Sequence, residues 1–292
     1  MFELGQLRSF VAVATELHFG RAAKRLNMTQ PPLSRQIQLL ERELDVSLFS
    51  RTSRSVQLTP AGQVFLAEAQ RLLQQSEAAV QAARRAAQTH LGAITVGFIG
   101  AATYGFLPRL ATRVRAEFPN LDVTFREMAS VAQVEALAVG YIDVGLVRPP
   151  SGRRDVKSAC VMRENLALAL PLSHPLAARR RPRIEQLDGE PFIMYSREGR
   201  YVHNLLTKAF RAAGIQPRYV QQMSQAQAIL SLVSTGLGVA IVPEETRNAC
   251  FDNVVFRPIH LGADVAVELH AIWRDDNRNP VLPAFRDMLH RV

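Results

Sequence analysis

Only two cysteines occur in 292 residues, Cys160 and Cys250, far apart and without metal-type spacing. A disulfide framework needs more, so the composition points to a reducing cytosol and to two buried, inert thiols. Lysine is scarce too: Lys24, Lys157 and Lys208 are the full set, and arginine carries the rest of the positive charge. No apolar run is long enough to span a bilayer. The longest, Ile229 to Pro243, is broken by Ser231, Ser234, Thr235, Gly236 and Gly238. Met1 to Arg8 shows no basic run followed by an apolar stretch, so no secretory signal is expected there. A glycine-rich phosphate loop is also missing. Gly236-Leu-Gly-Val-Ala-Ile-Val-Pro243 has no third glycine and precedes a strand, so these are tight-turn glycines entering a buried strand. Among the seven histidines there is no nucleophile–base–orienter set and no metal-ligand spacing. The expectation is a soluble, cytoplasmic protein that is not an enzyme and needs no cofactor or metal.

What is present is apolar material and positive charge. Hydrophobic residues make up 48%, enough for a small domain plus one or two larger lobes. A net charge of +9 biases the chain toward polyanions, but the excess is spread along it. Residues 1–90 hold 11 Lys and Arg against 7 Asp and Glu. Charge alone therefore permits nucleic-acid binding without requiring it.

The first sixty residues are more informative. Leu4, Leu7, Phe10, Val11, Ala14 and Leu17 recur at helical spacing. Phe19 to Leu26 makes a second short helix, with Ala22 and Ala23 small enough for a close crossing. Asn27-Met-Thr29 forms a turn, Thr29 caps a third helix, and Pro31 and Pro32 fall in its first turn, where a missing N–H costs little. Leu33, Ile37, Leu40 and Leu44 make the core stripe of that helix. The phase turns Gln30, Pro31, Ser34, Arg35 and Gln38 outward, a set of donors and acceptors suited to base edges in a major groove. Leu48–Thr52 and Ser55–Leu58 read as two strands of a wing whose turn carries Arg54. The competing reading is a three-helix packing unit with a merely solvated polar face.

The run Phe19-Gly-Arg-Ala-Ala-Lys-Arg-Leu-Asn-Met-Thr-Gln-Pro-Pro-Leu-Ser-Arg-Gln-Ile37 decides between them. With Glu41-Arg-Glu-Leu-Asp-Val-Ser-Leu-Phe-Ser-Arg51 and Leu58-Thr-Pro-Ala-Gly62, it closely resembles the LysR-type transcriptional regulators. The resemblance implies that Gln30, Pro31, Ser34 and Arg35 approach bases or phosphates, and that Arg54 enters the adjacent groove.

Thr59-Pro60 is a cap followed by proline at the first helical position, and helix formers continue to about Gln88. Phe65, Ala69, Leu72, Ser76, Ala79, Ala83 and Ala86 alternate steps of four and three, a seam suited to a coiled coil. Packing against the chain's own domain is the alternative. The resemblance implies a linker helix that pairs two subunits.

Beyond a hinge at Thr89–Gly92, strands and helices alternate as in an α/β parallel sheet. Strands are expected at Ala93–Phe98, Leu121–Arg126, Ile142–Val147, Asn165–Pro171, Phe192–Tyr195, Arg218–Gln222, Gly238–Val242 and Val265–Arg274. The helices are Tyr104–Glu117, Val131–Val139, Arg200–Ala213, Gln225–Thr235 and Pro283–Arg291. This stretch resembles the effector-binding domain of the same family, built like a periplasmic binding protein from two lobes. The resemblance implies crossings between lobes near Val161 and Ala266, with the ligand in the cleft between them. The expected organisation is thus a winged helix-turn-helix over 1–59 (the motif itself about 19–38) and a linker over 60–88. An effector domain follows over 92–292, with lobe I at about 92–161 and 267–292 and lobe II at about 162–266.

Ser130-Val-Ala-Gln133 reads as a capping box, and a helix N-terminus there would favour a carboxylate; the alternative is a plain cap. Ile99-Gly100-Ala101 forms a small-residue loop after the first strand, either the cleft mouth or an ordinary turn. Gly97-Phe98, Gly105-Phe-Leu-Pro-Arg109, Glu127-Met128, Ala132-Gln133 and Glu135-Ala-Leu137 are similar to the benzoate, muconate and chlorocatechol regulators. That similarity implies a Ser130 contact to an effector carboxylate, with Arg148, Tyr201, Val202 and Gln227 in or beside the cleft. The chain departs from those regulators at Gly100-Ala101, which lack their hydroxyls, and at Arg197–Arg200, where a one-residue gap is needed. The functional expectation is a homotetrameric regulator, a dimer of dimers, activating or repressing from double-stranded promoter DNA under a small organic anion. An α/β enzyme or a solute-binding protein is the alternative from another class.

Overall fold

In this computed structural model the described residues are 2–51, 55–87, 92–149, 155–262 and 265–292, without the side chains of 81, 82, 84–87 and 198. The chain divides into two compact units, 1–89 with 138–141, and 90–137 with 142–292.

The first unit begins with helices α1 (Leu4–Glu16), α2 (Phe19–Arg25) and α3 (Gln30–Leu44). The two-stranded ribbon β1 (Phe49–Arg51) and β2 (Val56–Leu58) follows, then the long α4 (Pro60–Ala87). The buried stripe of α1 is Leu7, Phe10, Val13 and Ala14; Leu4 and Leu17 end up exposed, so the expected face is rotated by part of a turn. These side chains meet Leu33, Ile37 and Leu40 of α3, as the spacing requires. Each fully buried large apolar side chain contributes about 1.5–3 kcal/mol. Phe10 packs against Phe49 and Phe65 at centroid distances of 5.4 and 5.1 Å, joining ribbon and long helix to the core.

Thr59 caps α4: its Oγ1 accepts the Gly62 N–H at 2.9 Å and donates to the Ser47 carbonyl at 2.7 Å. A side chain at Gly62 would collide with the Leu48 carbonyl, so this position tolerates only glycine. Over 28 residues α4 extends roughly 40 Å. Its expected pairing seam is partly spent inside the chain. Ala69 is fully buried and Phe65 half-buried in the head's own core, whereas Leu72 and Ala79 are exposed. The expected hinge at 89–91 lies outside the described residues.

The second unit runs β3 (Ala93–Phe98), α5 (Phe106–Glu117), β4 (Asp122–Glu127), α6 (Ser130–Ala138), β5 (Val144–Val147), β6 (Lys157–Glu164) and β7 (Leu166–Pro171). It continues with β8 (Pro191–Tyr195), α7 (Arg200–Ala213), β9 (Arg218–Met223), α8 (Ala226–Ser234) and β10 (Ala240–Pro243). The last elements are β11 (Val254–Pro258), β12 (Val267–Trp273) and α9 (Leu282–Leu289). Lobe I is a five-stranded sheet in the order β4-β3-β5-β12-β6. Here β3 is parallel to β4 and β5, but β12 is antiparallel to β5 and β6, so the sheet is mixed and not wholly parallel. Helices α5 and α9 bury Phe106, Leu110, Phe285 and Met288 against it. In lobe II, β7 is flanked antiparallel by β10 and β11, and the parallel pair β8-β9 joins through Phe192 and Val239.

Strands β6 and β11 had no expectation in the sequence, because half-exposed alternation reads like loop. Glu164 still pairs with Val267, so the first crossing falls at Asn165 and not near Val161. Gly236 turns the chain at φ +82° ahead of the fully buried β10, as expected of tight-turn glycines. The two thiols are corrected: Cys160 and Cys250 are both exposed.

Candidate functional site

Helix α3 builds the first site. Its N-cap is Thr29, but the threonine side chain makes no capping bond, and Pro31 and Pro32 fill the first turn. Burying Leu33, Ile37 and Leu40 leaves Thr29, Gln30, Pro31, Pro32, Arg35 and Gln38 exposed and Ser34 half-exposed. Pro31, Ser34, Arg35 and Gln38 line one shallow groove together with Leu39 and Arg42. Arg42 adds a second cation two turns along, which the sequence reading passed over. Arg35 has no ion-pair partner among the described residues, so its guanidinium stands ready for a polyanion. Arg54 lies outside the described residues.

Other charged groups of the same motif are structural. Glu41 accepts the Leu48 and Phe49 N–H groups at 2.8 and 3.1 Å and pairs with Arg51 at 2.8 Å. Arg51 lies over the Phe19 ring at 4.9 Å. Glu41 thereby ties the ribbon to α3 and fixes where the wing sits beside the exposed face.

The second site lies between the lobes. Arg148, at the end of β5, donates to the Glu268 carbonyl at 2.9 Å and sits 3.7 Å from Glu164 and 5.9 Å from the centre of the Tyr201 ring. Glu164 accepts the Glu245 N–H at 3.1 Å, and Glu245 pairs with Arg109 of lobe I at 2.6 Å. Burial lowers the Arg148 pKa and raises that of Glu164; each partner opposes the shift of the other. One oxygen each of Glu164 and Glu245 is buried without a hydrogen bond. Arg148, expected in or beside the cleft, is already matched there, because a buried guanidinium needs a resident carboxylate.

At the cleft mouth Gly100 and Ala101 lie in a short 3-10 turn after Ile99, half-exposed. A Cβ at Gly100 would lie 2.9 Å from a Glu127 carboxylate oxygen and 3.6 Å from Gln225 of lobe II. Tyr104 hydrogen-bonds the backbone of Gln227, and its carbonyl accepts from Asn248 at 2.7 Å. Polar groups of Glu127, Gln225 and Tyr104 thus stand around the Gly100–Ala101 turn, which itself carries no hydroxyl. The phenol of Tyr201 accepts the Glu268 N–H at 3.2 Å at the crossing, and Val202 is buried in the lobe II core. Ser130 is half-buried one place inside α6, because the Ala129 carbonyl takes the first helical bond from Gln133. The Gln133 side chain turns inward to the Met128 and Leu146 carbonyls at 2.9 and 3.1 Å, so the expected capping box does not form. Glu164 and Glu245 were not legible in the sequence, since no local spacing connects them to the cleft, and Glu127 stood out there only as part of the resemblance.

Head and two-lobed domain together define a ligand-responsive DNA-binding regulator. Residues 4–63 match the bacterial regulatory helix-turn-helix protein, lysR family, and residues 87–292 match the LysR substrate binding domain. The chain belongs to the LysR family of transcriptional regulators. It is 38% identical over 288 residues to the HTH-type transcriptional regulator AlsR of Bacillus subtilis (strain 168), covering 97% of this chain and 94% of that one. The crystal structure of CbnR, a LysR family transcriptional regulator, superposes with a TM-score of 0.78 at 30% identity over 99% of each chain. Full-length CbnR complexed with its target DNA gives 0.75 over the same coverage. The BenM effector-binding domain with its effector benzoate gives 0.62 at 25% identity, over 70% of this chain and 92% of that domain. These relatives are regulators and not enzymes, which sets the enzyme alternative aside. Among the described residues, no helix is long and apolar enough to cross a membrane.

Proposed function

We propose that this regulator reads double-stranded promoter DNA through Thr29, Gln30, Pro31, Pro32, Ser34, Arg35 and Gln38, with Arg54 in the neighbouring groove. Residues 1–59 would act as the head, 60–88 as the pairing helix and 92–292 as the sensor. The observation that carries the DNA reading is Arg35, exposed and, among the described residues, without an ion-pair partner, on a groove that also holds Ser34, Gln38 and Arg42. The chain works in the cytoplasm as a dimer of dimers. The exposed Leu72 and Ala79 on α4 support pairing there, and charging both together would yield smaller species in sedimentation; unchanged mass sinks this assignment.

A small organic carboxylate between the lobes is the proposed signal. Its carboxylate is held at the start of α6 by Ser130 and free backbone N–H groups. Likeness to a domain that takes benzoate supports the class. Ile99, Gly100, Ala101, Tyr201 and Gln227 shape the remainder, and Arg148 acts by rearranging its pair with Glu164. Calorimetric titration of the full chain and of Ser130→Ala with benzoate and aliphatic carboxylates tests this. Weakened binding in the variant is expected. Binding of uncharged or cationic compounds only, or an unchanged affinity, places the site elsewhere.

A further inference from the structure

Outside the cleft, the paired strands β6 and β12 bring three metal-ligating side chains together. In the antiparallel register Cys160 stands opposite His270, and Glu268 lies two places before His270 on the same strand, hence on the same face. The Cys160 sulfur, a histidine ring nitrogen and a Glu268 carboxylate oxygen all lie within 4.8 Å of one another. It is the single such cluster among the described residues. We infer that Cys160, His270 and Glu268 form a binding site for a borderline-soft divalent cation of the zinc class, with solvent as the fourth ligand.

The donor set favours this class. Thiolate, imidazole and carboxylate together suit Zn²⁺, whereas Mg²⁺ and Ca²⁺ require oxygen. Tetrahedral bonds of about 2.0–2.3 Å hold ligand atoms roughly 3.3–3.6 Å apart. His270 Nε2 and Glu268 Oε2 are now 2.9 Å apart, so a metal enters between them by a small displacement. The other ring nitrogen, Nδ1, lies 2.8 Å from the Ser158 hydroxyl. In the metal-free protein the Nε2–H donates to Glu268 and Nδ1 accepts from the Ser158 hydroxyl; when a metal takes Nε2 the ring proton moves to Nδ1, where the same hydroxyl turns to accept it, the outer-shell arrangement of histidine ligands. Arg163 sits 3.9 Å from the second carboxylate oxygen of Glu268, leaving Oε2 as the ligand. The scaffold is preorganised, because the Glu268 backbone is held on both sides by Tyr201 and Arg148. Coordination replaces the Cys160 S–H with S–metal and releases one proton to solvent.

Full-length protein stripped with chelator is titrated with Co²⁺, and Zn²⁺ then competes for the site. One equivalent per chain is expected, with the intense ligand-field bands of a tetrahedral site and a thiolate-to-cobalt charge-transfer band, both abolished by Zn²⁺. Cys160→Ser removes the charge-transfer band, His270→Ala abolishes tight binding, and Ser158→Ala weakens it about 10- to 100-fold. Cys250→Ser leaves the spectrum unchanged. Trp273 fluorescence melts identify any variant that fails to fold; Ser158→Ala, which removes no ligand, then carries the test. A weak octahedral spectrum without charge transfer, a band that survives Cys160→Ser, or a Ser158→Ala affinity equal to wild type overturns the proposal.

Discussion

Two arginines show how differently the two halves of the molecule use charge. Arg35 stands in solvent on α3, with its aliphatic neighbours Leu33 and Ile37 buried behind it and no ion-pair partner among the described residues. Arg148 is almost wholly enclosed, its side chain 11% exposed, with Glu164, the Glu268 carbonyl and the Tyr201 ring around it. The head keeps a charge uncommitted, so folding of the chain does not depend on it and a polyanion can take it without breaking anything. The sensor buries its charge in a network that crosses between lobes through Glu164, Glu245 and Arg109, so any ligand acting there must disturb bonds that already exist. One charge is left open at the surface. The other is committed inside the protein.

The sharpest way to break this contrast is Arg148→Ala. Removing one partner of a buried pair strands Glu164, and about 3–5 kcal/mol of stability should be lost from the second unit. Urea unfolding followed by Trp273, the one tryptophan, reads this directly. Arg148→Met combined with Glu164→Gln should recover most of the loss, and a near-zero cost for Arg148→Ala alone would show that the arginine is not committed.

Arg35→Ala comes next and should behave in the opposite way. Operator affinity falls by about 1–3 kcal/mol in titrations at fixed salt, while the melting temperature stays at the wild-type value. A variant that instead unfolds the head would mean that the phase of α3 is wrong and Arg35 faces inward.

The smallest effect concerns pH. Burial raises the Glu164 carboxyl above the ordinary carboxylate range, against the pull of the Glu245 N–H and of Arg148. Between the unfolded and folded values the native state holds a proton that the unfolded chain has released, so stability falls as pH rises through that window. The difference in unfolding free energy between wild type and Glu164→Gln should therefore decline with rising pH from the ordinary glutamate value and level off above the raised one. A difference that grows with pH would mean that Arg148, and not burial, dominates the site.

Legibility followed the same division. The α3 stripe, the start of α3 at Thr29, the Thr59 cap, the wing strands and the exposed Gln30–Gln38 face could be read in the sequence, because helix periodicity and capping are relations among residues a few places apart. The long helix could be read too, but not which of its apolar residues would turn inward: Phe65 and Ala69 are spent on α1, and only packing decides that. In the sensor, the strand and helix alternation was visible, whereas the exposed state of both cysteines, the inward turn of Gln133 and the burial of Val202 were not. Local spacing by itself thus determined a helical head with one polar face and an alternating α/β region, and the motif resemblance added the DNA-reading role and the division into two lobes. Tertiary structure alone joined Arg148 to Glu164 and Glu245, through the approach of the two lobes, and Cys160 to His270, through the pairing of β6 with β12, since these partners lie far apart in the chain and no local spacing connects them.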